Sequence, residues 1–480
     1  MDRTLGSRQL AGLVSATAGD HPGYRALARG VRTLLLDGRI ALHTRLPAER
    51  ELAGALGVSR ATVTAAYDLL REGGYAHSRR GAGTWTDIPE GQRPTNVASL
   101  TPTEDVLDLA LAAPFAPRQA LADALTAAGA LLAAQVPTPG YHPYGLPELR
   151  AAVAERFTRR GLPTLPDQIL ITSGAQQAVS LTIGLLGRPG DRVLVENPSY
   201  PNAIDALREA GLRPVPVPVT EDGWDSDLVE SALRQAAPRL AYLVPDFHNP
   251  TGALMPPEQR LRILDAARRT GTWLLIDETV TDIALDVPPP APFASLAHHG
   301  GTEQLVTVGS LSKSHWGGLR IGWVRASSRV ITELATRRVP ADMSGPVLEQ
   351  LVALGLLEGM DDVLAERLPR LREQRDALVT ALAHHLPEWR WQLPPGGLSL
   401  WVDLGRPVAS ALSRAALDHG VRIEGGARFG VDPGTFEHRL RIPYALPPEV
   451  GEEAVRRLAA AMGAGLPAST GEQGRPHWVA

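Results

Sequence analysis

Lys313, in the stretch GSLSKSHWGGLRIGW that runs from Gly309 to Trp323, is the only lysine among 480 residues, so 47 of the 48 Lys plus Arg side chains are arginine. Both residues carry a charge, but only lysine releases its proton near neutral pH in a suitable site and attacks a carbonyl. The surviving amine therefore marks a position where charge alone was not the requirement. Ser310 and Ser312 stand beside it and Arg320 follows in GGLRIGW, a hydroxyl and guanidinium pairing that can clamp a phosphate. Upstream, ILITSGAQQAV reads as a strand, a small-residue turn and a helix start, so the amides near Gly174, Ala175 and Gln176 form an anion cradle. Two more strand ends join the set. YLVPDFHNPTG ends with Asn249 in a Pro-flanked turn, and TWLLIDE carries Asp277 to the C-terminal edge of a buried strand, the edge where doubly wound sheets bind ligands.

An amine for an aldehyde, a phosphate cradle, a carboxylate to keep a pyridine nitrogen protonated and an amide for a phenolate oxygen together describe pyridoxal 5′-phosphate (PLP). Blander readings stand beside this one: Asp277 as a helix cap, Asn249 as a turn former, and Lys313 in a Schiff-base enzyme that uses no PLP. No Gly-Lys-Ser/Thr follows the Gly174 turn and no three-glycine dinucleotide fingerprint occurs. The absence of cysteine excludes disulfides, thiolate catalysis and Cys-based zinc sites, and the thirteen histidines show no metal-ligand spacing.

The elements that must position these residues follow from the pattern of apolar runs. QILIT, DRVLVE, LRPVPVPV, RLAYLVP, TWLLID, QLVTVG and RIGWVRA alternate with helical stretches such as SDLVESALRQA and PEQRLRILDAARRT, which predicts a mainly parallel sheet covered by helices on both faces. The N-terminal part differs. Tyr24, Leu27, Val31, Leu34 and Leu35 share one face of a helix that stops at Gly38. A helix from about Ala48 to Leu56, a turn at Gly57 and a second helix capped by Ser59 then read as a helix-turn-helix. Its buried face is Val63, Ala66, Tyr67 and Leu70, leaving Arg60, Thr62 and Thr64 for a groove. HSRRGAGTW reads as a wing that carries Arg79 and Arg80 into a turn at Gly81.

Residues 21 to 87 hold ten Arg and six Asp plus Glu, a balance of +4 against −8 for the rest of the chain, whose total is −4. That asymmetry fits a small anion-binding module on an acidic body as well as it fits ordinary solvated surface. The expected organisation is a tail over 1–20, the winged helix over 21–87, a polar Pro- and Thr-rich linker over 88–104, the sheet-bearing body over 105–465 and a second tail over 466–480. The start lacks a signal-peptide pattern and no window is long and apolar enough for a membrane span, so a soluble, cytoplasmic protein with no membrane partner is expected.

SGAQQA, NPTG, IDE and SLSK followed by GLRIGW occur in an order that resembles the fold-type I aminotransferases, over about 105–465. LPAERELAGALGVSRATVTAAYDLLREGGY resembles a GntR-type winged helix, and the two together resemble the MocR group of bacterial transcription regulators. The resemblance implies an N-terminal winged helix followed by a PLP-binding α/β body with a smaller α+β subdomain. It implies Lys313 as the internal aldimine, Asp277 as partner of the pyridine nitrogen, Asn249 as donor to the phenolic oxygen, and Ser310, Arg320, Ala175 and Gln176 around the phosphate. Tyr200 would stack on the ring, Tyr141 would reach the neighbouring subunit's phosphate, and Arg441 would bind a carboxylate, with Arg439 as the nearby alternative. Thr279 stands where many relatives place a tyrosine against the phenolic oxygen. Arg50, Arg60 and Arg80 match positions that touch DNA. The implied partners are operator DNA, PLP or an amino compound as effector, and a second copy in a homodimer whose linker length permits domain swapping. A working aminotransferase of the kynurenine or 2-aminoadipate type with an appended DNA-binding module is the competing expectation.

Overall fold

In a computed structural model of the protein, which describes residues 3–19, 21–79, 83–89, 106–220, 222–297, 303–464 and 466, all seven runs predicted as strands lie in one eight-stranded sheet. Its order is Ile169–Thr172, Gly322–Arg325, Leu305–Ser310, Trp273–Asp277, Leu240–Leu243, Arg192–Asn197, Arg213–Thr220 and Gly223–Trp224. The strands from Leu305–Ser310 through Arg213–Thr220 pair in parallel. Gly322–Arg325 runs antiparallel to both its neighbours, so Ile169–Thr172 points the same way as the parallel strands. Ile169–Thr172, Leu240–Leu243 and Leu305–Ser310 are buried at every residue. Continuous apolar sequence without alternation is what a sheet covered on both faces demands.

The helices between the strands begin and end on local signals. Ser226–Ala236 starts where the Asp225 carboxylate accepts the amides of Asp227 and Leu228, both at 3.0 Å. Pro257–Thr270 stops at Gly271, whose φ of 67° is the left-handed conformation that glycine adopts without strain. The parallel direction has one consequence for chemistry: Thr172, Leu243, Asp277 and Ser310 all end their strands at the same edge of the sheet.

The chain divides into two compact units. One gathers the described residues of Met1–Val106, Asp403–Leu440 and Arg457–His477, the other those of Leu107–Val402 and Arg441–Arg456. The eight-stranded sheet belongs to the second. In the first, helices Tyr24–Leu36, Glu49–Leu56 and Arg60–Glu72 form the predicted helix-turn-helix, with Gly57 at φ 64° in the turn. The wing strands Ala76–Arg79 and Gly83–Thr86 pair antiparallel. Residues Asp403–Leu440 meet this domain near the end of its helix Tyr24–Leu36: Phe436 donates its amide to the Leu36 carbonyl at 2.6 Å, and Asp37 lies 3.0 Å from His438.

Two expectations are corrected here. Residues 1–20, expected as a tail, include a strand Arg3–Thr4 paired in parallel with Thr44–Arg45 and a helix Ser7–Ala18. Leu5, Leu10 and Val14 are buried in the winged-helix core, because the face left by the other helices needs an apolar cover. Tyr24, expected on the buried face of its helix, is 39% exposed, since it sits in the first turn; the Arg25 guanidinium lies 5.7 Å from its ring centre. Most of the expected linker 88–104 and of the tail 466–480 falls outside the described residues. Among the described residues no helix is long and apolar enough to cross a membrane.

Candidate functional site

The turn after strand Leu305–Ser310 carries Lys313 into a cleft whose lining includes Asn249, His248, Phe247, Val280 and Ala112. The half-buried side chain donates from Nζ to the Ala112 carbonyl at 2.9 Å. Its amine is pushed down to about 7, first by burial and then by the nearby positive charges of Arg441 and Arg320, while Asp277 pulls the other way. An amine in that range is partly neutral at physiological pH, the state a nucleophile needs.

Asp277 closes its strand with 6% exposure and both carboxylate oxygens occupied. Tyr242 donates to Oδ2 at 2.8 Å, the Thr279 amide donates to Oδ1 at 2.9 Å, and the Thr279 hydroxyl donates to the same oxygen. Burial pushes the carboxyl up, and these donors together with the Lys313 charge oppose it. Thr279 is thus engaged within its own turn. Its hydroxyl donates to Asp277, and the residue of this turn that lines the cleft is Val280.

Asn249 lines the same cleft, with its amide oxygen buried and without a hydrogen-bond partner among the described residues. The cradle also assembles. Gly174, at φ 87°, precedes helix Ala175–Leu186, and a Cβ on it would stand 2.8 Å from the Arg320 guanidinium, which donates to the Ser173 carbonyl at 2.8 Å. Gly322 allows strand Gly322–Arg325 to press against this helix start, since a Cβ there would lie 2.6 Å from the Gly174 carbonyl carbon. Cross-strand register sets Ser310 opposite Gly322 and Gly322 opposite Thr172, so Ser310 reaches the same corner. Its hydroxyl accepts the Ser312 amide at 3.0 Å and lies 2.8 Å from the Ser312 hydroxyl. Gln176 donates to the Asn202 carbonyl at 3.1 Å, and Asn202 donates in turn to the Tyr200 hydroxyl at 2.8 Å. Burial pushes the Tyr200 phenol up to about 12, with Asp277, Arg441 and Arg320 among the charges it feels.

Arg441 is fully buried on strand Arg439–Pro443 and donates to the Ala110 carbonyl, two residues before the carbonyl that holds Lys313. Arg439 is engaged elsewhere, 3.4 Å from Asp403. Tyr141 is not brought into the cleft: it is 62% exposed. Sequence reasoning missed Tyr242, Asn202 and Val280. Tyr242 had a signal, as a hydroxyl in an otherwise apolar strand two residues before the VPDFHNPTG turn.

On the winged helix, Arg50 and Arg60 are exposed. Ser59 caps the second helix through the Thr62 amide at 3.1 Å, and its hydroxyl lies 2.9 Å from that of Thr62. Glu49, which the sequence reading passed over, accepts from Arg60 at 3.3 Å and from the Thr64 hydroxyl at 2.8 Å, so it ties the two helices together. The Arg79 side chain, Arg80 and Gly81 lie outside the described residues.

Comparison with known proteins matches residues 104–458 to the family "Aminotransferase class I and II" and residues 23–85 to "Bacterial regulatory proteins, gntR family". The chain is 30% identical over 412 residues to YisV of Bacillus subtilis, an uncharacterized HTH-type transcriptional regulator, covering 80% of this chain and 84% of that protein. It is 29% identical over 415 residues to the probable rhizopine catabolism regulatory protein MocR of Rhizobium meliloti, covering 77% and 79%. Among solved structures it resembles LysN, the alpha-aminoadipate aminotransferase of Thermus thermophilus complexed with N-(5′-phosphopyridoxyl)-L-leucine. The TM-score is 0.70 at 32% identity, covering 75% of this chain and 93% of that one.

Proposed function

Because this chain belongs to the aminotransferase class I and II family and carries a gntR-family regulatory domain ahead of it, the order of the MocR-type regulators, we propose that it is a DNA-binding transcription regulator whose Lys313 cleft senses PLP or an amino compound. The observation that carries this reading is the placement of Lys313 and Asn249 on one cleft, with Asp277 near enough for its charge to act on Lys313, in a chain that also holds a winged helix.

The residues present fit PLP. The Asn249 amide lines the Lys313 cleft, and the glycines at 174 and 322 let the Arg320 guanidinium close on the head of helix Ala175–Leu186, where backbone amides and a cation suit a phosphate. When bound, PLP supplies an aldehyde carbon and an electron-withdrawing pyridine ring. The chain does the rest. Lys313 presents an amine that is partly unprotonated near pH 7, and Asp277 offers a carboxylate to a ring nitrogen. Arg320, Ser310, Ser312 and the amides from Gly174 to Gln176 hold a phosphate, and Tyr200 covers the ring. Arg441 binds an effector carboxylate as a bidentate pair. Tyr141 serves the partner subunit's phosphate in a homodimer, for which the linker is long enough to allow swapping. Operator DNA is assigned to Arg50, Ser59, Arg60, Thr62 and Thr64, and, from the sequence pattern of the wing, to Arg79, Arg80 and Gly81; the site of action is the cytoplasm.

Titration of the purified protein with PLP, followed by candidate amines, tests the cofactor half of this reading through the appearance and shift of a visible absorbance band. Operator binding measured with and without those ligands tests the regulatory half; an operator affinity that ignores every PLP and amine addition removes it. A second reading, a working aminotransferase, is favoured by the depressed Lys313 amine, which can shuttle a proton near neutrality. Keto-acid product from an amino-acid panel would establish it, whereas spectral shifts without product favour the sensor.

A further inference from the structure

Asp277 is held from two directions. Thr279 supplies two donors to Oδ1 from within the same turn, and Tyr242 supplies the donor to Oδ2 from the neighbouring strand. Tyr242 has no exposed surface, and register sets it beside Leu275, two residues short of Asp277 on the adjacent strand. Its hydroxyl is an expensive thing to bury in a sheet of apolar residues unless it is bonded. Among the described residues, its hydrogen bond is to Asp277. Burial, and then the Asp277 charge, push the phenol well above its ordinary value, so it remains a donor throughout the physiological range.

We propose that Tyr242 is a positioning residue that fixes the Oδ2 side of Asp277 and keeps this buried carboxylate ionised for a ring nitrogen bound in the Lys313 cleft. The proposal rests on reading that cleft as a PLP site. The groups that face the pair are Lys313, whose charge favours the ionised carboxylate, Tyr200, and Glu196 on the far side of Tyr242. Arg441 and Arg320 act on Tyr200 and Lys313. Removing the Tyr242 donor leaves burial less opposed, so Asp277 takes up its proton at a higher pH.

The test compares PLP with its 1-deaza analogue, in which a CH replaces the ring nitrogen, by equilibrium binding to wild-type and Tyr242→Phe protein between pH 5 and 9. Wild type prefers PLP, and that preference fades as pH falls through the titration of Asp277. In Tyr242→Phe the preference drops by about tenfold at neutral pH, as expected for losing one hydrogen bond to a charged group. The pH at which it fades moves upward, while affinity for the deaza analogue stays within about twofold. Equal weakening toward both ligands, or an unmoved pH midpoint, overturns the assignment and leaves Tyr242 as packing alone. Should the variant not fold, selectively labelled wild-type protein supplies the same answer, because it has only eight tyrosines to resolve. The Tyr242 ¹³Cζ resonance then shifts on PLP binding and stays put with the deaza analogue; identical shifts overturn the proposal. A wild type that binds neither ligand fails at the reading of the cleft itself and takes this proposal with it, an outcome distinct from failure at Tyr242.

Discussion

Beside Lys313, Arg441 is fully buried and Asp277 stands at 6% exposure, whereas on the winged helix the Arg60 side chain is 72% exposed. In the cleft, environment makes the chemistry: burial and neighbouring charge bring the Lys313 amine down to about 7 and leave Tyr200 at about 12. On the winged helix the exposed arginines act through their number and arrangement. The lesson is that the cleft should respond to pH and to the loss of single atoms, and the winged helix to salt and to the number of charges.

The strongest test of that contrast removes the amine. In Lys313→Ala, borohydride treatment of PLP-loaded protein leaves no label on the peptide around residue 313, where wild type is labelled, and peptide mass mapping reads the difference. Operator binding in the absence of effector survives in the same variant, because nothing on the winged helix has changed.

A second measurement sharpens the cleft's side of the comparison. The rate of PLP uptake falls about tenfold per pH unit below the amine's value of about 7 and levels off above it. The same group makes a statement about stability. Its folded value is depressed, so the unfolded chain binds the extra proton between about 7 and the ordinary 10.5. The cost to the cofactor-free fold therefore grows as pH falls through that window and is constant below it. Lys313→Met should raise Tm most at pH 6 to 7 and hardly at all near pH 10; a gain independent of pH would mean the amine is not held in its neutral form.

Smaller effects are expected on the winged helix. Arg60→Ala should lower the slope of log affinity against log salt by about one, as for one lost phosphate contact, without altering PLP affinity. Smallest of all is Glu49→Gln, which loosens Arg60 and Thr64 while leaving the charge that meets DNA. Operator affinity should stay within about threefold of wild type, the scale of a partly exposed ion pair. A larger change would show that the winged helix, too, depends on preset geometry, and the contrast would weaken.

The seven strands and the order of the motifs were legible because a sheet buried on both faces writes continuous apolar runs, and strand ends then place Asp277, Asn249 and Lys313 at one edge. What was not legible were contacts set by the pitch of a turn or by a neighbouring strand. Spacing cannot say whether Thr279 or Val280 faces the cleft, since both follow Asp277 closely and only the folded turn decides. Tyr242 meets Asp277 through strand register, although the two lie 35 positions apart in sequence. The helix Ser7–Ala18 was missed for another reason: Leu10 and Val14 are too few apolar residues to announce an amphipathic face among Gly, Ser and Ala.

That first helix has a practical consequence for anyone wishing to graft this reader of DNA onto a different sensor. The family match begins at residue 23, but the cooperative folding unit reaches back at least to Arg3 through its paired strand and to Leu5, Leu10 and Val14 in its interior. A chimera cut at the motif boundary would expose the greasy side of the two helices this one covers, Tyr24–Leu36 and Glu49–Leu56, and aggregate, while one cut upstream of residue 3 would carry its own lid.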